Sequence, residues 1–323
     1  MKRINLFLLA SLVYVAAFSQ NKTMSINWKA GETKQISMIF SGKEIEHDKV
    51  GLDTSFAFEG ELLVKNELPN EYIISMNEMN MLESAGSIFY KNLPQEISVT
   101  SLVSEISIDK NAFTVTQLNQ ADYNASIQKS YDEILKILAE KVPEKLDKAT
   151  QTLTDIKKGQ QQNSTTSQIV ELILDSYKFN YSEKDTIFAD DPGSNPMKLP
   201  GFPGAKVMTY VQPSGKKGTS NIVIERIYNS DLYKNMMSGV TQQVSGAIGN
   251  IADTNDDSAV KNQMEEAMKQ MMSMMDINIS DKTVVTRSET SNWPSKITKD
   301  INMNMMAGGS KSGAIISVDM AIR

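Results

Sequence analysis

From Leu52 onward, Leu52, Thr54, Phe56, Phe58, Leu62 and Val64 hold alternate positions, while Asp53, Ser55, Glu59, Glu61 and Lys65 hold the positions between them. A period of two puts one set on one face of a pleated strand, so this segment predicts a long, half-buried β-strand. Gly60 falls in the apolar row, where a bulge or bend is expected. Ile36, Met38 and Phe40 predict a shorter strand before it, and Tyr72, Ile74 and Met76 one after it. The segments SEISI and AFTV flank Asp109-Lys110-Asn111 and predict a hairpin.

Helical spacing then takes over. Ile127, Tyr131, Ile134, Leu135, Leu138 and Val142 recur at three- and four-residue intervals, with Asp122 as the expected cap and Pro143 as the stop. Leu146, Ala149, Leu153 and Ile156 make the stripe of a second helix that should end at Gly159. Thr165 and Gln168 have capping-box spacing for a third, which carries Ile169, Leu172 and Ile173. Tyr177, Phe179 and Tyr181 point back to a strand. DDPGSNPMKLPGFPG, residues 190–204, then packs four of the nine prolines into one stretch and marks the best internal boundary. It reads as a lid or a connector between two β-then-α halves of a single domain, residues 20–323.

KVMTYV and SNIVIERIY predict a pair of strands joined by PSGKKG. A helical pair is expected over about 231–251 and 258–275. The chain closes with two one-sided strands: Ile297, Ile301, Met303 and Met305 share a face, as do Ala314, Ile316, Val318, Met320 and Ile322. AGGSKSG should turn between them. Blocks of one-sided strands separated by blocks of amphipathic helix imply an α+β fold, a curved antiparallel sheet with helices on its apolar face.

The N-terminus changes the expected compartment. Lys2 and Arg3 precede an apolar run from Leu6 to Phe18, with small residues at Ala17 and Ser19, which is the layout of a secretory signal peptide over residues 1–19. The run is too short for a bilayer span. No cysteine follows it, so no lipid anchor is expected there, and the protein is expected in the periplasm or outside the cell. No later segment reads as transmembrane.

Composition narrows the chemistry. The 323-residue chain has no cysteine and one histidine, which excludes thiol nucleophiles, disulfides, thiolate zinc sites and centres needing two imidazoles. A net charge of -6 offers no broad basic field for nucleic acid. Three short patterns resemble sites without completing them. Asp253, Asn255 and Asp257 open like a calcium loop, but Ser258 and Met264 stand where glycine and a bidentate glutamate are needed, so a helix cap is expected there. Ser126 and Lys129 have S-x-x-K spacing without the companion motifs of that chemistry, and GGSKSG lacks phosphate-loop spacing. His47, in the charged stretch GKEIEHDK, reads as a solvated loop residue. No catalytic residue, metal site or cofactor is expected.

Methionine is the outlier, with 20 residues. Met236 and Met237 lie on one predicted helix, Met264, Met268, Met271, Met272, Met274 and Met275 on its partner, and Met303, Met305 and Met306 on a strand. Flexible thioether side chains adapt to varied apolar shapes, so Met236, Met237, Met268, Met271, Met272 and Met275 are candidates to line an apolar ligand site. A methionine-rich core and soft Cu(I) coordination are the other readings. Gly239, Gly246 and Gly249 interrupt the first of these helices, for close packing on the sheet or for movement.

The arrangement resembles the half-barrel carriers of the bacterial envelope, the Lol-type lipoprotein carriers and their mycobacterial lipoprotein relatives. It also resembles a set of exported bacterial proteins with a late strand opening like Trp293-Pro294-Ser295-Lys296-Ile297. That resemblance rests on topology and transfers no binding residue. It implies a curved sheet cupping helices over an apolar cavity. The expected function is therefore non-catalytic binding of a lipid or acyl chain between sheet and helices. The alternative is an envelope interaction or scaffold protein with a protein partner.

Overall fold

A computed structural model describes residues 22–23, 25–78, 82, 86, 89–91, 102–162, 164–195, 204–231, 276–288, 291–307 and 310–323. The predicted helical pair over 231–251 and 258–275, with all six candidate methionines, lies outside these residues apart from Asp231, as does the calcium-loop-like stretch between the two helices.

The strands are β1 (Lys22–Thr23), β2 (Thr33–Glu46), β3 (Lys49–Glu67), β4 (Glu71–Glu78), β5 (Leu102–Asp109), β6 (Val115–Gln117), β7 (Asn180–Tyr181), β8 (Ile187–Asp191), β9 (Ala205–Pro213), β10 (Thr219–Ile227), β11 (Asp276–Ser288), β12 (Pro294–Ala307) and β13 (Ser310–Ile322). Among the described residues, three α-helices, α1 (Gln120–Lys141), α2 (Leu146–Gln162) and α3 (Thr165–Asp175), fall between β6 and β7. Eleven strands form one antiparallel sheet in the order β6-β5-β4-β3-β2-β13-β12-β11-β10-β9-β8. Two meanders thus run outward from a central seam, where β13 pairs with β2.

One short helix requires this sheet to curl. The Ser164 hydroxyl at the start of α3 donates to Gln117 on β6 at 2.9 Å. At its other end Asp175 accepts from Arg226 on β10 at 2.6 Å. Those strands stand eight spacings apart, about 38 Å if the sheet were flat at ~4.8 Å per strand. An 11-residue helix is only about 16 Å long. The sheet therefore wraps α3 as an open half-barrel, the expected α+β class.

Register aligns the concave face into cross-strand rows. Val211, Ile222, Val285, Ile297, Met320, Met38 and Phe58 follow one another across seven strands. Beyond this row, toward one end of the trough, the main core closes over Trp28 and Trp293, whose rings stack at 4.1 Å, with Tyr72 and Tyr177 against Trp28. The Trp293-Pro294 opening of β12 thus supplies half of an aromatic plug. A second cluster, built from Leu82, Leu102, Tyr123, Ile127, Ile134, Leu138, Ala149 and Leu153, seats the α1–α2 hairpin beside β5.

Several local expectations shift. Gly60 is not the bulge: the β3 register slips between Val64 and Asn66 instead. A Cβ at Gly60 would come within 2.6 Å of the Met76 methyl and 2.8 Å of the Phe58 ring, so the glycine makes room for core side chains folded across it. Helix α1 begins after Asn119, not at Asp122. Asn119 ties the helix to the sheet, accepting from the Glu105 N–H at 3.0 Å and donating to the Val103 carbonyl at 2.8 Å. Helix α2 runs past Gly159 to Gln162. Of the strand predicted around Tyr177, Phe179 and Tyr181, only Asn180–Tyr181 forms, pairing with β1.

Of the predicted 190–204 stretch, Asp190 and Asp191 belong to β8 and residues 196–203 lie outside the described residues; the strands on either side, β8 and β9, are neighbours in the sheet. His47 occupies the exposed β2–β3 turn, with φ values of 48° at His47 and 64° at Asp48. Ser126 donates to the Asp122 carbonyl at 2.9 Å. The β12–β13 hairpin pairs Ala307 with Ser310 across the predicted turn.

Candidate functional site

Helix α3 covers the trough, and its seating is polar at both ends. Its cap is Ser164, which accepts from the Ser167 N–H at 3.1 Å; the expected box at Thr165 and Gln168 is displaced by one residue. The reason lies on the sheet. The buried Glu78 carboxylate of β4 reaches the helix start and accepts from the Thr166 N–H at 2.7 Å and the Thr165 N–H at 3.2 Å. A carboxylate placed there also meets the positive end of the helix dipole. The Tyr123 hydroxyl donates to it at 2.6 Å, and burial with the adjacent carboxylate pushes the Tyr123 phenol far above its ordinary range.

Between α3 and the sheet lies a cavity of about 670 Å³. Its sheet wall is Met38, Phe40, Ile301 and Val318; Ile169 and Leu172 of α3 face it, and Phe113 and Val115 of the β5–β6 hairpin close one side. Phe113 is held at φ 53°, immediately after a turn in which the Asp109 carboxylate accepts from the N–H groups of Asn111 and Ala112.

The opposite side of the cavity is charged. Two rows beyond the apolar one, Val207, Arg226, Asp281 and Ile301 are cross-strand neighbours, and Lys299 lies in the row between, opposite Thr283. The Arg226 side chain is 3% exposed. Its Nη2 donates to both Asp175 oxygens at 2.6 Å and its Nε to Asp191 at 3.0 Å. Lys299 stands 3.4 Å from Asp281 and 3.8 Å from Asp175, and Lys178 reaches Asp175 at 3.9 Å. Burial alone would lower the Arg226 pKa; the charges of Asp175 and Asp281 and the hydrogen bonds to Asp191 and Asp175 outweigh it and raise it. The Phe179 ring lies 5.5 Å from the guanidinium carbon. Tyr228 donates to Asp281 at 3.3 Å and shares a 2.8 Å hydrogen bond with Ser194. Its phenol is raised mainly by burial. Asp191 is placed by the end of β8, where Gly204, at φ 74°, packs against it: a Cβ there would fall 2.7 Å from the Asp191 carbonyl.

A second cavity, of about 710 Å³, lies along β10–β12 and includes Tyr228, Ile277 and Ile279. Arg226, Asp281 and Ile301 line both cavities, so the charged cluster is their common wall.

None of these charged residues was selected from sequence. The signal was there in parity: Arg226 continues the Ile222–Ile224 row, Asp281 follows Ile279, and Lys299 sits between Ile297 and Ile301. Strand β11 went unpredicted for the same reason, because Asp281 and Thr283 interrupt its apolar alternation. The six candidate methionines lie outside the described residues. Met305 and Met306 are exposed at the far end of β12, whereas Met76 and Met320 are core.

No family model matches the chain, and no curated protein matches it. Among solved structures it is similar to lipovitellin, in a study of lipid–protein interactions in that protein, at 6% identity and a TM-score of 0.37. The match covers 92% of this chain but only 25% of the lipovitellin chain. It is also similar to a DUF1329 family protein from Desulfovibrio piger at 8% identity and a TM-score of 0.16, covering 91% of this chain and 85% of that one. Likeness at this level places the chain in no family. Among the described residues, no helix is long and apolar enough to cross a membrane.

Proposed function

We propose that this is an exported, non-catalytic protein of the bacterial envelope that binds the apolar part of a lipid or acyl chain in the trough between α3 and the sheet. The observation that carries this reading is the 670 Å³ cavity, whose wall of Met38, Phe40, Leu172, Ile301 and Val318 comes from three neighbouring strands, β2, β13 and β12, and one helix. Its size falls in the range of small-molecule sites, about 300–1,000 Å³. Removing apolar ligand surface from water there supplies the driving force, about 25 cal/mol per Å². The signal-peptide pattern at residues 1–19 supports export, and the absence of cysteine with a single histidine supports binding over catalysis.

Leu172 is only partly buried, so replacing it perturbs the cavity more than the core. Leu172→Glu is expected to reduce uptake of an apolar fluorescent probe at least tenfold while the circular dichroism spectrum is retained; unchanged uptake rejects the site. Native mass spectrometry of residues 20–323 with solvent extraction then identifies any co-purifying lipid. If neither lipid nor probe binds, the interaction reading takes over, with Phe188 as its anchor, 67% exposed on the edge strand β8.

A further inference from the structure

The two lysines on the cavity wall keep donor capacity that the cluster does not use. Lys178 follows the end of α3 and Lys299 lies on β12, and both ammonium groups approach the Asp175 carboxylate, at 3.9 Å and 3.8 Å; Lys299 also stands 3.4 Å from Asp281. These are ion-pair separations, longer than the ~2.8 Å of a charge-assisted hydrogen bond. The acids are better engaged: Arg226 Nη2 donates to both Asp175 oxygens at 2.6 Å and Nε to Asp191 at 3.0 Å. The lysines are also accessible. The Lys178 side chain is 42% exposed, that of Lys299 is 20% exposed, and both line the 670 Å³ cavity.

We infer that Lys178 and Lys299 form the headgroup subsite of the trough and that it takes a carboxylate, which makes the ligand a fatty acid. The inference rests on the apolar-ligand reading of the same cavity and adds the class of ligand. Cross-strand register sets the apolar wall beside the charge: Lys299 on β12 is opposite Val318 on β13, which is opposite Phe40 on β2. Those two strand spacings span about 10 Å. A tail lying on Val318 and Phe40 therefore brings its headgroup to Lys299, and Lys178 meets it from the end of α3. The ligand then displaces water from both ammonium groups, and donors covered without an acceptor are costly. A carboxylate supplies charged acceptors to both, a glycerol headgroup supplies uncharged ones, and an ammonium supplies none. Among the lining charges, Asp175, Asp191 and Asp281 are matched by Arg226, Lys178 and Lys299, with Glu171 in excess. The attraction is thus local hydrogen bonding without a basic field, which suits a monoanion better than a doubly charged phosphate.

The test is competition for a bound apolar fluorophore on residues 20–323, at neutral pH, by three ligands with the same C12 chain: dodecanoate, dodecylamine and 1-monododecanoylglycerol. Dodecanoate is expected to bind at least fivefold more tightly than either of the others. A smaller preference, or a reversed one, overturns the headgroup assignment and leaves the trough standing. Failure of all three to bind overturns the trough reading and this inference with it. Lys178→Met is expected to remove most of the preference for dodecanoate over 1-monododecanoylglycerol, and Lys178→Arg to preserve it. A Lys178→Met protein that melts cooperatively and keeps the full preference overturns the assignment of Lys178, and the unmodified protein's ligand series decides the headgroup class even if that variant fails to fold.

Discussion

At the scale of single residues, Arg226 shows how a charge survives in a core position. It occupies the inward parity of β10, and three aspartates from three other elements converge on it. Such a group is weak evidence for stability as a pair, but removing one member strands the others. Arg226→Met is expected to cost about 3–5 kcal/mol in urea unfolding, because Asp175 and Asp281 lose their main counter-charge. A loss below about 1 kcal/mol, within the range of an exposed ion pair, rejects this account. On the outward parity, next in sequence, Glu225 behaves differently. Burial pushes its carboxyl up, but hydrogen bonds from Lys282 and Tyr210 and the lysine's charge hold it below the ordinary 4.5. A depressed carboxyl stabilises the fold above its unfolded-state pKa and loses that contribution as pH falls through the folded value. The unmodified protein should therefore lose more stability than Glu225→Gln between about pH 5 and pH 3. Parallel acid limbs in the two melting profiles would contradict it.

At the scale of elements, the seating of α3 decides whether the trough exists. The helix amphipathicity is legible in Ile169, Val170, Ile173 and Leu174, all buried. Its direction across the barrel is not, since that depends on Glu78 and Gln117 at one end and Arg226 at the other. Glu78→Gln keeps the shape but removes a charge-assisted acceptor from the helix start and from Tyr123. It is expected to lower stability by about 2 kcal/mol and to weaken probe uptake, measured by thermal melting and by titration of the same variant. Normal stability in that variant means that the seating of α3 does not depend on the Glu78 charge. The hairpins and most strands could be read from alternation. Strand β11 could not, because Asp281 and Thr283 occupy inward positions that an apolar pattern reserves for hydrophobes.

At the scale of the molecule, two meanders grow away from the β2–β13 seam and are closed onto one helix. Trp28, from the segment before β2, stacks on Trp293, from the segment before β12, and thereby joins parts of the chain from opposite ends of the sequence. The plug fixes one end of the half-barrel, leaving the charged cluster to wall the trough further along. Trp28→Ala is expected to cost about 3–5 kcal/mol, with loss of the near-ultraviolet signal of both indoles and little change in far-ultraviolet circular dichroism below the melting point. Retention of that signal would mean that Trp293 is held without its partner.

Short-range pattern was sufficient to determine the strand and helix character of most of the chain, the α+β class and the one-sidedness of the sheet, because each follows from side-chain periodicity within a few residues. The same holds for the β5–β6 turn, whose Asp109 acts on its immediate neighbours. The tertiary structure alone decided that Asp175, Asp191, Arg226, Asp281 and Lys299 meet. They lie on five separate elements or their ends, and each looks like an ordinary polar residue until cross-strand register and sheet curvature bring the five together. Register is set by pairing between distant segments, and curvature by one helix spanning eight strand spacings. Neither leaves a periodic trace in the residues that carry the site.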